Sequence, residues 1–253
     1  MADTATPPTP DLAVILVGAG EGRRMGDHGP KLLIPIGGQP ALQRIAATFL
    51  AHPAVGEVVA VVPKALLRQA EQTLAAAPNQ RNLPAHAVEG GETRQDSVGR
   101  GLGALRQALH YIAVHDVARP LATRALIDRV LAAARRTGAA IPALPVSDSV
   151  KEVSDGRVSR SVPRERLVAA QTPQIFTSDI LRKAHAHARV VRVLATDEAS
   201  LAEAIGATVA VVEGDERNRK LTVPSDLEIL NALLRAGAGG SAGANEPATP
   251  ENP

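Results

Sequence analysis

VILVGAGEGRRMGDHGPK, residues Val14 to Lys31, decides how this chain is built. Val14, Ile15, Leu16 and Val17 read as a short buried strand, which runs into Gly18, Gly20 and Gly22 and then at once into Arg23 and Arg24. A strand, a glycine-rich turn and two guanidinium groups form a phosphate cradle. Glycine lets backbone N–H groups approach and point at an anion, and arginine presents a planar fork of donors. Lys31, set behind Pro30, adds a point charge. The competing reading is an ordinary tight turn, because Gly-x-Gly after a strand is by itself a weak signal. The spacing fits neither common phosphate template: position 23 is Arg, where the dinucleotide fingerprint and the Walker A loop each need Gly.

Outward from this stretch, composition sets the bounds. The 253 residues suffice for one large α/β domain or two small ones. Apolar residues make up 45% and aromatics only 1%, so a sizeable core must be built from Ala, Val, Leu and Ile. A formal charge of +2, spread along the chain, argues against a nucleic-acid partner. The absence of Cys excludes disulfides and thiolate-bound metals and suits a reducing cytoplasm. No apolar run is long enough to span a bilayer, so no membrane partner is expected. MADTATPPTP lacks the basic head and apolar middle of a secretory signal; residues 1–11 are expected to be a disordered lead-in, and the Gly/Ala/Pro-rich residues 237–253 a disordered tail.

Between them, residues 12–236 alternate strand and helix patterns. Helices are predicted over Ala41–Leu50, Lys64–Ala77, Gln95–Leu109, Arg124–Arg136, Ser178–Ala188, Asp197–Ile205 and Pro224–Leu234. Strands are predicted over Val58–Val62, Ala85–Val88, Tyr111–Val114, Ala139–Val146 and Thr208–Val212. Such alternation predicts a mostly parallel sheet covered on both faces, with ligands outside the carboxyl ends of its strands. Gly18, Gly90-Gly91 and Asp116 all fall at such ends. Ser149–Val162 differs. Asp155-Gly156 is a two-residue hairpin turn flanked by Val153 and Val158, which predicts a protruding arm. A lone hairpin is marginal in water, so the arm needs a partner, and a second copy is the simplest one.

Several segments carry chemistry, each with a bland alternative. Gly91 permits a tight turn, and Arg94 and Ser97 open a helix, either at a ligand or as an ordinary helix start. Asp116, at a strand end facing a triphosphate, suits Mg²⁺, which takes one or two carboxylates plus phosphate oxygens and waters; capping the next helix is the rival role. His115 reads as structural. Arg164 flanks the arm and is chosen over Arg166 by register with Thr172; a solvated arginine is the rival. Thr196-Asp197-Glu198 is a capping pattern with Thr196 at the cap. Lys220 and Thr222 alternate on an extended stretch and share a side, or are a plain solvated edge.

Taken in order, these segments resemble the 2-C-methyl-D-erythritol 4-phosphate cytidylyltransferase family of the non-mevalonate isoprenoid pathway, over roughly residues 12 to 234. The resemblance implies a Rossmann-like nucleotidyltransferase fold: a mostly parallel twisted sheet with helices on both faces and a protruding β-arm, residues 147–172, that makes a homodimer. It implies transfer of CMP from CTP to the polyol phosphate with release of pyrophosphate, Mg²⁺ as cofactor and Asp116 as its ligand. It assigns catalysis to Arg24, Lys31, Arg164 and Lys220. CTP falls to Gly18, Ala19, Gly20, Gly22, Gly91, Arg94, Ser97, Asp116 and Lys220. The acceptor falls to Ser149, Arg164, Thr172, Thr196, Lys220 and Thr222, with Arg164 reaching across from the other subunit. The chain departs from the family pattern at Gly18 and Val117, where Ala is usual, at Ser149 for Thr, and at Arg219 for an apolar residue. A cytidylyltransferase for another polyol phosphate, such as ribitol 5-phosphate, is the nearest alternative, and a silent nucleotide-binding module the next. Many relatives continue into a cyclodiphosphate synthase domain. This sequence encodes none of it and is expected to be at most the first half of such a protein.

Overall fold

A computed structural model describes residues 9–20 and 29–239, with side chains to residue 236. Its centre is an eight-stranded sheet. β1 (Leu12–Val17) is followed by the two-residue pair β2 (Pro35–Ile36) and β3 (Gln39–Pro40), then α1 (Ala41–Leu50), β4 (Val55–Val62) and α2 (Leu67–Ala75). Next come β5 (Ala85–Glu89), α3 (Arg94–Ala104), β6 (Tyr111–Asp116), α4 (Arg124–Thr137) and β7 (Ala139–Pro145). The hairpin β8 (Val150–Ser154) and β9 (Arg157–Val162) precedes β10 (Val168–Ala170) and β11 (Gln174–Thr177). The chain closes with α5 (Ser178–Val191), α6 (Glu198–Ala204), β12 (Ala210–Glu213) and α7 (Pro224–Gly239).

Across the sheet the order is β10-β7-β11-β6-β1-β4-β5, with β12 on the other edge of β7. β5, β4, β1 and β6 run parallel, and β12 runs parallel to β7. β11 is reversed between β6 and β7, and β10 is reversed against β7. β1 shows why both faces carry helices. Leu12, Val14 and Leu16 point into the core shared with α1, α2, α4 and α7, while Ala13, Ile15 and Val17 join that of α3, α5 and α6. A strand buried on both sides reads as an unbroken apolar run, as LAVILV does.

Most elements fall where the pattern puts them. α1 spans the residues predicted, and α4 ends at Gly138, left-handed at φ 85. Several expectations need correction. α3 stops at Ala104, not Leu109. Leu105 turns extended, and the buried Glu57 carboxylate on β4 accepts the N–H groups of Arg106 (3.0 and 3.1 Å) and Gln107 (3.0 Å), so these amides bond across to the sheet and leave the helix. Residues 64–66 are a 3-10 turn ahead of α2. β10 and β11 have no counterpart in the prediction, and the stretch holding Lys220 and Thr222 is neither strand nor helix. The hairpin turns at Asp155 (φ 49) and Gly156 (φ 73), both left-handed as a two-residue turn of this type requires, and forms a separate two-stranded sheet. The arm is shorter than 147–172, because β10 pairs with β7 and belongs to the body. Both predicted disordered ends also shrink: Asp11 is paired to Arg135 at 2.8 Å, and α7 runs on through Gly239.

Candidate active site

Three parallel strand ends and one loop build a cleft of about 630 Å³. β1 ends in Gly18, whose N–H is held by the Val61 carbonyl at 2.8 Å. Ala19 and Gly20 follow on the cleft wall. β5 ends in Gly90 and Gly91. A Cβ at Gly90 would stand 2.4 Å from that of Ala19, and one at Gly91 2.3 Å from that of Asp96, so neither position tolerates a side chain without movement. Thr93 caps α3 in a reciprocal capping box with Asp96. Ser97 is buried; its hydroxyl accepts from the Gly91 N–H (3.1 Å) and donates to the Thr93 carbonyl (2.8 Å), drawing the β5 loop onto the helix start.

β6 delivers Asp116, whose carboxylate takes Arg94 Nε on Oδ1 at 3.2 Å and Lys220 Nζ on Oδ2 at 2.6 Å. Burial alone would raise its pKa. The Arg94 and Lys220 charges outweigh burial and hold the carboxyl well below the usual range. Arg94 Nη1 also donates to both Glu198 carboxylate oxygens, at 2.9 and 2.8 Å. Burial pulls this guanidinium down, but Glu198 and Asp116 together push it up, so it stays charged. Lys31 opens a 3-10 turn after Pro30, and its ammonium donates to the Thr222 carbonyl at 3.3 Å. His115 is structural: it is fully buried, bonds the Arg119 carbonyl at 3.0 Å and meets the Thr172 hydroxyl at 3.2 Å.

Of the residues singled out in the sequence, Gly18, Ala19, Gly20, Lys31, Gly91, Arg94, Ser97, Asp116 and Lys220 line this one cleft. Gly22 and Arg24 lie outside the described residues. The acceptor set does not come together in a single chain. Ser149, Arg164 and Thr196 are exposed, and none lines the cleft. Arg164 donates to the Ser147 carbonyl at the foot of the hairpin. Thr172 is buried, and its hydroxyl accepts the Asp116 N–H at 3.1 Å, so it holds the carboxylate from behind. Thr222 spends its hydroxyl on the Lys220 carbonyl at 3.1 Å.

The helix cap at α6 is Asp197, not Thr196: its carboxylate accepts the Ser200 N–H at 3.1 Å. Two residues that sequence reasoning missed lie behind the cleft wall and support it. Glu198 is buried against Arg94, 104 positions away, and looks locally like any first-turn acid. Gln174, also buried, accepts from the N–H groups of Glu198 and Ala199, each at 3.1 Å, and donates to Asp197 at 2.8 Å.

A glycine-bearing strand end, the Asp116 carboxylate held between Arg94 and Lys220, and Lys31 around one cleft define an α/β nucleotidyltransferase. A sequence model described as IspD, 2-C-methyl-D-erythritol 4-phosphate cytidylyltransferase, matches residues 12–236. A protein of that name from Gloeobacter violaceus is 40% identical over 226 residues, covering 88% of this chain and 96% of its own. The bifunctional enzyme IspD/IspF of Nitrobacter winogradskyi is 43% identical over 236 residues, covering 92% of this chain and 58% of that protein. The crystal structure of the cytidylyltransferase from Thermus thermophilus superposes with a TM-score of 0.72 at 38% identity, over 90% of this chain and all (100%) of the other. The chain belongs to the 2-C-methyl-D-erythritol 4-phosphate cytidylyltransferase family.

Proposed function

We propose that this chain transfers CMP from CTP to 2-C-methyl-D-erythritol 4-phosphate, giving 4-diphosphocytidyl-2-C-methyl-D-erythritol and pyrophosphate. The observation that carries this reading is the convergence of Lys31, Arg94, Asp116 and Lys220 on the cleft beneath the Gly18–Gly20 loop. The reaction must bring two anions together, so positioned cations are what the chemistry requires. A phosphate oxygen of the acceptor, already ionised, attacks the α-phosphorus; the bond from that phosphorus to the bridging oxygen breaks, and pyrophosphate leaves with the electron pair. Lys31 neutralises the charge growing at the α-phosphorus and on the leaving group, together with Arg24. Lys220 orients the acceptor phosphate in line. Gly91, Arg94 and Ser97 face the cytosine and ribose, where close backbone approach leaves no room for a purine.

Asp116 is the residue for a Mg²⁺ that arrives with the nucleotide. No group of three His, Cys, Asp or Glu forms a permanent metal site among the described residues, and the Asp116 carboxylate on this cleft fits an ion that keeps phosphate and water ligands. When bound, it would neutralise triphosphate charge.

The acceptor half comes from a second copy, whose hairpin carries Ser149 and Arg164 into this cleft. Among the described residues no helix is long and apolar enough to cross a membrane, and with no cysteine the chain suits the cytoplasm, where it would meet its CTP. The test is pyrophosphate release with CTP, Mg²⁺ and a panel of polyol phosphates. Release with the methylerythritol phosphate well above that with ribitol 5-phosphate is expected; the reverse order would overturn the acceptor assignment.

A further inference from the structure

Lys220 sits on a segment with no helix or strand to place it, residues 214–222. A buried polar lattice behind the cleft wall places it instead. Asn218, fully buried, donates its amide to the Thr172 carbonyl at 2.8 Å and to Gln171 Oε1 at 3.2 Å. The Asn218 carbonyl accepts from Arg119 at 2.7 Å, and the Leu221 N–H is held by the Ala118 carbonyl at 2.7 Å, so Lys220 lies between two clamps on the strand-end segment that carries Asp116. Gln171, also buried, grips the Asp215 backbone from both sides, donating to its carbonyl at 3.0 Å and accepting from its N–H at 3.1 Å. Thr172, the next residue, takes the Asp116 N–H. The segments bearing Asp116 and Lys220 are thus both fastened to residues 171–172.

Among the described residues the Asn218 Oδ1 has no partner. Leaving a buried acceptor unanswered costs about 1–3 kcal/mol, and the chain bears it at a position where the amide donors face two acceptors. The donors are what the position requires.

We propose that Asn218 and Gln171 are positioning residues: they set the Lys220 ammonium against the Asp116 carboxylate, and through it the line of approach of the acceptor phosphate. This rests on the role given to Lys220 above. A misplacement near 1 Å can cost on the order of 10²-fold in rate. Asn218→Ala is expected to lower kcat/KM for the acceptor roughly 30-fold, within that range, while KM for CTP moves less than about twofold.

The discriminating experiment repeats Asn218→Ala in a Lys220→Ala chain. If Asn218 acts through Lys220, the second substitution adds less than about twofold; a full second loss would overturn the proposal. Asn218→Ser keeps one short donor, and is expected to lose less and to fold should Asn218→Ala not. A crystal structure of the ligand-free variant is the check that needs no turnover. Lys220 should leave the 2.6 Å contact with Asp116, and an unchanged contact would sink the idea. If instead the unaltered chain fails to use the methylerythritol phosphate, the acceptor assignment falls while the displaced lysine remains measurable.

Discussion

Asp116 and Val153 mark two regions built by opposite means. Asp116 ends a central strand, 7% exposed, with its amide and both carboxylate oxygens bonded by its own chain. Val153 and its cross-strand partner Val158 stand 60% and 62% exposed on a hairpin that pairs with no other strand among the described residues. An isolated two-stranded hairpin has little stability of its own. The residues proposed for the nucleotide gather on one cleft within the chain, whereas Ser149 and Arg164, proposed for the acceptor, lie exposed outside it. The two regions touch at residues 170–172, where the strand leading back from the arm runs into Gln171 and Thr172.

The largest effect should come from breaking the cleft. Lys31→Ala is expected to lower kcat about 10³-fold, the scale of losing one charge-stabilising group at a transition state, with the melting temperature nearly unchanged. Pyrophosphate release and thermal melts read the two together, and an intact kcat would remove this cleft from the chemistry. A smaller loss, about 10²-fold, is expected from Arg164→Ala if the acceptor half is shared between copies. Mixing Lys31→Ala with Arg164→Ala chains makes this sharper. Each mixed dimer would hold one site with an intact body and an intact visiting arm, so activity should return on mixing. Two inactive proteins that stay inactive together would place Arg164 in its own chain's site, or in none.

How far each region could be read in advance follows from how it is held. β1, β4 and β6 are apolar runs long enough to show as strands, and the ends of β1, β5 and β6 put Gly18, Gly91 and Asp116 on one edge. The arm announced itself through Asp155-Gly156 alone. What stayed hidden depends on partners distant in sequence. β11 has four residues, too few to show an alternation, and it enters the sheet only because β6 and β7 leave a gap for it. Glu198 and Arg94 find each other across 104 positions, and Glu57 ends α3 from another strand. The resemblance assigns Thr172 to the acceptor. Its burial behind Asp116 is a matter of packing, which no local pattern encodes.

Acid should separate the two regions in turn. His115 and His185 are both held down to about 4, chiefly by burial, with Arg189 and Arg94 adding to the effect at His185. Above the ordinary value near 6.5 neither the folded nor the unfolded chain binds these protons. As pH falls from there to about 4, the unfolded chain takes them up and the folded chain does not, so stability drops with pH across that window and no further below it. Asp116, depressed, loses its contribution only at lower pH still. The expected loss is roughly 2 kcal/mol from each histidine by urea melts at about pH 7 and about pH 4.5, and His185→Leu should remove about half of it. The hairpin and its flanks, residues 147–172, contain no histidine. The histidine effect therefore belongs to the body, and a stability that stays flat from about pH 7 to about pH 4.5 would contradict it.

The finest test lies inside the cleft. Gly18 and Val117 are two departures from the usual family pattern, each where alanine is common, and the structure sets them against each other. A Cβ on Gly18 would lie 3.3 Å from Val117 Cγ2, closer than ordinary van der Waals contact, and Val117 is buried. The larger side chain at 117 and the missing one at 18 fill the same space. Gly18→Ala alone is expected to destabilise by about 1 kcal/mol through overpacking, and Val117→Ala alone by about the same through the cavity it leaves. The double variant should recover much of the loss, a coupling of about 1 kcal/mol, visible as non-additive melting temperatures. Strict additivity would mean that the two positions vary independently, and that the glycine serves only the approach of a phosphate to the loop.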